Sequence, residues 1–292
     1  MFSGSMVALV TPMADDGSID TAAWQRLLEW HLAEGTSAIV VGGTTGESPT
    51  LTAAELADLA ERAVATIARR IPVIVGTGTN STAGTVERTR SLSRLGVDGV
   101  LIVTPYYNRP TQEGLYQHFM AAADASAAPV ILYNVPSRTA VDLLPPTVAR
   151  LAAHSRIAAI KEASGQVGRV REILEQSARE LTVLAGEDAI ARQSMLAGAR
   201  GVISVTANVA PKAMHDLAVA AMHGDTSRAE AIDARLADLH QRLFVEANPI
   251  PVKWALAEMG LIGRGIRLPL TPLAFQHHDF VRAALRRAGA LN

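Results

Sequence analysis

Lys161 closes a short apolar run, Ile157-Ala158-Ala159-Ile160, whose composition suits a buried strand. Side chains alternate along a strand, so one set would point into a closed sheet, where an ammonium is costly to bury. Attack on a ketone requires a neutral amine, and a lysine in such a place is a candidate Schiff-base nucleophile. Alone, Lys161 reads more readily as a lysine that snorkels to solvent or pairs with Glu162 or Glu187. The ends of other apolar runs shift that balance. Tyr133 closes the run 130–133 and has a phenol able to give or take a proton, and Thr44, just after the run 38–41, has a hydroxyl able to pass one onward. Singly, Tyr133 reads as a core phenol and Thr44 as a side chain satisfying a turn amide. The tight turn 43–46 (Gly-Thr-Thr-Gly) presents several backbone N–H groups, which suits a carboxylate. It lacks the Gly-Lys-Ser/Thr of a phosphate loop, and Gly76-Thr77-Gly78 lacks the third glycine of a dinucleotide fingerprint, so no nucleotide cofactor is expected.

These residues share one place only if the strands that carry them are neighbours in one sheet. Eight apolar, β-branched runs recur along the chain, at 5–10, 38–41, 73–75, 99–103, 130–133, 157–160, 183–185 and 201–205. Each is followed by Gly, Thr, Pro or Asn and then by helical periodicity. Thr52 and Glu55 form a capping box ahead of a stripe of Leu56, Leu59, Ala60, Ala63 and Ile67, and a second stripe is Trp24, Leu27, Leu28 and His31. Eight such repeats with short connections predict an α/β fold, a (β/α)₈ TIM barrel whose reactive face is the C-terminal end of the strands. From Pro211 on, only helical periodicity is found, broken at Asn248-Pro249, Pro251 and Pro269. The expected division is a barrel over 1–210 and a helical C-terminal extension over 211–292 packed on it.

Bulk composition narrows the partners. In 292 residues, 49% are apolar and only 4% aromatic, so Ala, Val, Leu and Ile must fill the core, as suits buried parallel strands. Lys and Arg number 27 against 28 Asp and Glu, a net charge of -1 that offers no field for nucleic acid or a membrane surface. A small-molecule substrate is expected. Cysteine is absent, which removes thiolate metal sites and a thiol nucleophile, and the eight histidines show no metal-binding spacing, so no metal is expected. The opening MFSGSMVALVTPM has no basic segment and meets Pro12 early, which leads us to expect a cytoplasmic protein.

Four stretches, GTTGE (43–47), VTPYYNRP (103–110), YNVPSRT (133–139) and IKEASG (160–165), resemble the dihydrodipicolinate synthase family of pyruvate-dependent class I aldolases. The likeness extends through GSMVALVTPM, GVISVTANVAP and FVEANPIPVKWAL and so covers nearly the whole chain. It implies that Lys161 condenses with pyruvate, that Thr44 and Thr45 hold the pyruvate carboxylate, and that Tyr133 transfers protons. It further implies that Tyr107 reaches a neighbouring subunit to complete a Thr44–Tyr107–Tyr133 relay. Arg138 would bind the carboxylate of the second substrate, L-aspartate 4-semialdehyde, a role its planar fork suits, and Gly186 and Ile203 would line the pyruvate pocket. No cofactor would be needed, and the product would enter diaminopimelate and lysine biosynthesis. The resemblance also implies a homotetramer, a dimer of dimers.

An N-acetylneuraminate lyase or a sugar-acid aldolase would share Lys161, Tyr133 and GTTGE; Arg138 speaks against both. A silent barrel would have lost the lysine or the tyrosine. Gly78, Asn80 and Tyr106 match the family's lysine-inhibited members, but Ala53, Leu56 and Gly84 stand where those typically carry two histidines and a glutamate. An ε-ammonium drawn from water without acceptors is poorly compensated, so inhibition by L-lysine is expected to be weak or absent.

Overall fold

The computed structural model of the chain describes residues 2–177 and 181–291. Strands β1 (Gly4–Ala8), β2 (Ala38–Val41), β3 (Val73–Gly76), β4 (Gly99–Val103), β5 (Val130–Asn134), β6 (Ile157–Glu162), β7 (Thr182–Ala185) and β8 (Gly201–Ser204) close, in chain order, into one parallel barrel. Every expected strand is present. Two boundaries differ in ways that matter. The run 5–10 leaves the sheet after Ala8, where Val10 N–H instead donates to the Asn208 side chain (3.0 Å). β6 continues two residues past Ile160, because Lys161 and Glu162 stay in register with both Tyr133-Asn134 and Leu184-Ala185.

Alternation separates two cores. Val7, Ile39, Val75, Ile102, Leu132, Ile160 and Val183 face outward against helices, whereas Met6, Val40, Ile74, Leu101, Ile131, Ala159, Leu184 and Ile203 fill the barrel. Parity in β6 is set by an irregularity. Val130 pairs with Ile157 but Ile131 pairs with Ala159, so Ala158 is an extra residue. A one-residue shift exchanges the two faces of a strand, and this one places Lys161 on the same inward face as Ala159.

Outside the barrel, Thr52 and Glu55 make the capping box of helix Ala53–Ile67, whose buried residues are the five of the expected stripe. Trp24, Leu27, Leu28 and His31 are likewise buried on helix Thr21–Ala33. Helix Pro211–Met222 contacts both β8 and β1 and closes the outer ring, so the added helices are Thr226–Arg242, Ile250–Glu258 and His278–Ala288. Pro251 does not break a helix: it sits in the first turn of Ile250–Glu258, where its missing N–H has no intrahelical acceptor to lose. No described helix is long and apolar enough to cross a membrane.

Candidate active site

The C-terminal mouth of the barrel holds a cavity of about 560 Å³. Small inward residues, Ala8, Ala163 and Gly186, leave room where larger ones would fill it. Lys161 is 5% exposed at the cavity wall, and its Nζ lies 4.4 Å from the centroid of the Tyr133 ring, its register partner on β5. Three lysines occur in the sequence. Lys212 pairs with Asp216 (2.6 Å) and Lys253 with Glu47, whereas Lys161 has no ion pair with any described residue. Glu162 does not pair with it; that carboxylate accepts from Ser164 N–H (2.7 Å) and Asn134 Nδ2 (3.1 Å). Burial pushes the Glu162 carboxyl above its ordinary value despite these bonds.

Thr44 and Thr45 line the cavity from the turn after β2. The turn starts at Gly42 with φ +60, and a Cβ there would lie 2.2 Å from Leu56 Cδ1. Leu56 is therefore a core residue packed beneath the turn, not a surface position open to a ligand. Asn248 Nδ2 donates to Thr45 Oγ1 (2.9 Å), which leaves the Thr45 hydroxyl hydrogen for a ligand. Glu47 ends the turn with φ +58 and a fully buried side chain, held by the Lys253 ammonium and by Arg267 N–H (3.2 Å). Burial pushes the Lys253 ammonium below its usual range, against the pull of Glu47. Arg267 in turn clamps Glu55 (2.5 Å) and the Thr50 carbonyl (2.8 Å), and that bond holds the Glu55 carboxyl down to about 2.

Arg138 lines the cavity from the turn Pro136–Thr139, exposed and without an ion pair to a described residue. Gly186 lies where expected, and its lack of a side chain has a cause: a Cβ would come within 3.1 Å of Lys161 Cε and 2.6 Å of Ala163 Cβ. Two expected site residues stand elsewhere. Ile203 is fully buried in the barrel core beside its register partner Met6 and does not line the cavity. Tyr107 is 87% exposed with φ +75 and does not reach its own cavity. Asp188, His240, Phe244 and Asn248 also line the cavity, and sequence reasoning gives none of them a role; Glu187, which the sequence offers as a partner for Lys161, lines it too. His240, Phe244 and Asn248 come from the helix Thr226–Arg242 and the loop after it, and the motif FVEANPIPVKWAL contains both Phe244 and Asn248.

A parallel barrel whose mouth holds a buried lysine amine, without an ion pair to a described residue, against a phenol, with an arginine on the same cavity wall, has the arrangement of an aldolase-type lyase. A sequence profile of the dihydrodipicolinate synthetase family matches residues 1–288. The 4-hydroxy-tetrahydrodipicolinate synthase of Alkalilimnicola ehrlichii is 56% identical over 291 residues, covering 100% of both chains. The chloride-inhibited dihydrodipicolinate synthase from Acinetobacter baumannii, solved in complex with pyruvate, matches with a TM-score of 0.98 at 49% identity over 100% of both chains. A monomeric dihydrodipicolinate synthase variant matches with a TM-score of 0.96 at 41% identity, covering 99% of this chain and 98% of that one. This chain belongs to the dihydrodipicolinate synthetase family.

Proposed function

We propose that this protein condenses pyruvate with L-aspartate 4-semialdehyde to 4-hydroxy-tetrahydrodipicolinate, the first committed step of diaminopimelate and lysine biosynthesis, through an imine on Lys161. The observation that carries this reading is the unpaired Lys161 amine 4.4 Å from the Tyr133 ring in the cavity. Lys161 Nζ attacks the pyruvate carbonyl carbon, and loss of water, with Tyr133 supplying the proton, gives the imine. The amides of the Thr44–Thr45 turn and the Thr45 hydroxyl receive the pyruvate carboxylate. Loss of a methyl proton forms the enamine, whose carbon attacks the aldehyde, and the resulting alkoxide takes a proton from the relay. The substrate amine then adds to the imine carbon, closing the ring and expelling Lys161. The imine is the electron sink that a cofactor supplies in other enzymes. On this reading the enzyme works in the cytoplasm, beside the supply of pyruvate.

Arg138 receives the carboxylate of the semialdehyde. Arg138→Ala is expected to lower kcat/KM for the semialdehyde roughly 10- to 100-fold, the scale of one charge-assisted hydrogen-bonded contact. Imine formation with pyruvate, measured by borohydride trapping, should stay at the wild-type level. An equal loss in both steps would make the arginine structural.

Tyr107 completes the Thr44–Tyr133 relay of a second subunit in a dimer of dimers. Its exposure and left-handed backbone, with the side chain outside its own cavity, support that role. Inhibition by L-lysine is weak or absent. Ala53 and Gly84 offer no polar side chain, and Glu55 is already held by Arg267. The small cavity beside Gly78 and Tyr106, about 180 Å³, is also lined by Arg88 and Arg138, which repel an ammonium. Titrating L-lysine into a coupled assay with the semialdehyde should leave the rate nearly unchanged through the submillimolar range. Half-inhibition within that range, abolished by altering Asn80 or Tyr106, would contradict this.

A further inference from the structure

Three carboxylates gather where β6 and β7 end, and two already have partners. Glu162 accepts from Ser164 and Asn134, and Asp188 Oδ2 accepts from Val205 N–H and Thr206 N–H, each at 2.9 Å. Glu187 lines the same cavity as Lys161 and Arg138, half-buried, with no hydrogen bond or ion pair to a described residue. It directly follows Gly186, the residue whose missing side chain clears Lys161. Burial, and the nearby Glu162 and Asp188 carboxylates, push its carboxyl above the ordinary range. An acid desolvated among like charges gains most from a cation that arrives with a ligand.

The inference rests on the reaction proposed above. L-aspartate 4-semialdehyde carries a carboxylate and an ammonium on one carbon, and one cation cannot read both. We infer that Glu187 receives the α-ammonium of the second substrate, so that the cavity recognises an amino-acid head group with Arg138 for its carboxylate and Glu187 for its ammonium. Pyruvate has no ammonium. Glu187 therefore adds nothing to imine formation, and its charge disfavours a keto-acid carboxylate on that side of the cavity, leaving the Thr44–Thr45 turn as the place for it.

The test compares two aldehydes that differ only in the ammonium: the semialdehyde, and 4-oxobutanoate, which lacks the amino group. Glu187→Gln is expected to raise KM for the semialdehyde about tenfold or more, the scale of one charge-assisted hydrogen bond. The inhibition constant of 4-oxobutanoate against the semialdehyde should move less than about twofold, because no contact to it is lost. Borohydride trapping of pyruvate on the variant should match the wild type, which also shows that the variant folds. Arg138→Ala should weaken both aldehydes. Equal effects of Glu187→Gln on both, or no effect on either, would overturn the assignment of Glu187 alone. Failure of the wild-type enzyme to turn over the semialdehyde would overturn the reaction itself, and this inference with it.

Discussion

Lys161→Met is expected to yield a folded protein whose condensation rate falls roughly a thousandfold or more, since the nucleophile that forms the covalent intermediate is gone. Methionine is close to lysine in length and carries no charge, and at this position it would stand between the register partners Tyr133 and Leu184, with the Tyr133 ring close by. Replacing a nearly buried amine with an apolar chain of similar shape removes a desolvation penalty, so thermal stability should hold or rise. A structural lysine would give the reverse, a lower melting temperature with activity retained. Steady-state rates and thermal unfolding, measured on the same preparation, separate the two cases.

Lys253→Met is expected to destabilise the fold by about 3–5 kcal/mol, because breaking a buried pair leaves the remaining charge uncompensated. Among the described residues, the Glu47 carboxylate would keep only the Arg267 amide as a partner. For a chain of this size the melting temperature should drop by roughly 10 °C. The same pair pins the far end of the turn that carries Thr44 and Thr45, so KM for pyruvate should rise as well. Glu47→Gln combined with Lys253→Met should recover much of the stability, since no ionised group then remains buried without a partner. Thermal unfolding of the single and double variants forms a double-mutant cycle. Additive losses would show that Glu47 and Lys253 do not act as a pair.

The barrel was legible because buried parallel strands read as continuous β-branched runs, and each of the eight was bounded by turn residues. The helix Ala53–Ile67 was legible to its cap, since Thr52 and Glu55 report a local geometry. What the sequence hid was long-range. Ile157–Ile160 contains no polar residue to mark a face, so the extra residue at Ala158 that turns Lys161 inward left no trace in the pattern. The Glu47–Lys253 pair spans 206 residues, and each partner alone reads as a surface charge. Leu56 answers to two readings of the sequence, a core stripe and a position near a regulatory ligand, and only the first holds, since its side chain fills the space beneath Gly42. Ile203 follows Val202, the register partner of Ala185, and so stands beside Gly186, yet its side chain is enclosed by the barrel core and only Gly186 borders the cavity; spacing along the chain does not reveal which of two neighbours is covered. Glu187, which the sequence offers as a partner for Lys161, lines the same cavity without an ion pair to any described residue.

The most direct measurement of the central claim is borohydride reduction in the presence of pyruvate, followed by mass mapping of peptides. The chain's three lysines make the outcome unambiguous. The account predicts irreversible loss of activity and a single reduced pyruvyl adduct on Lys161, with Lys212 and Lys253 unmodified. Full activity after treatment, or an adduct on either of the other two lysines, would contradict it.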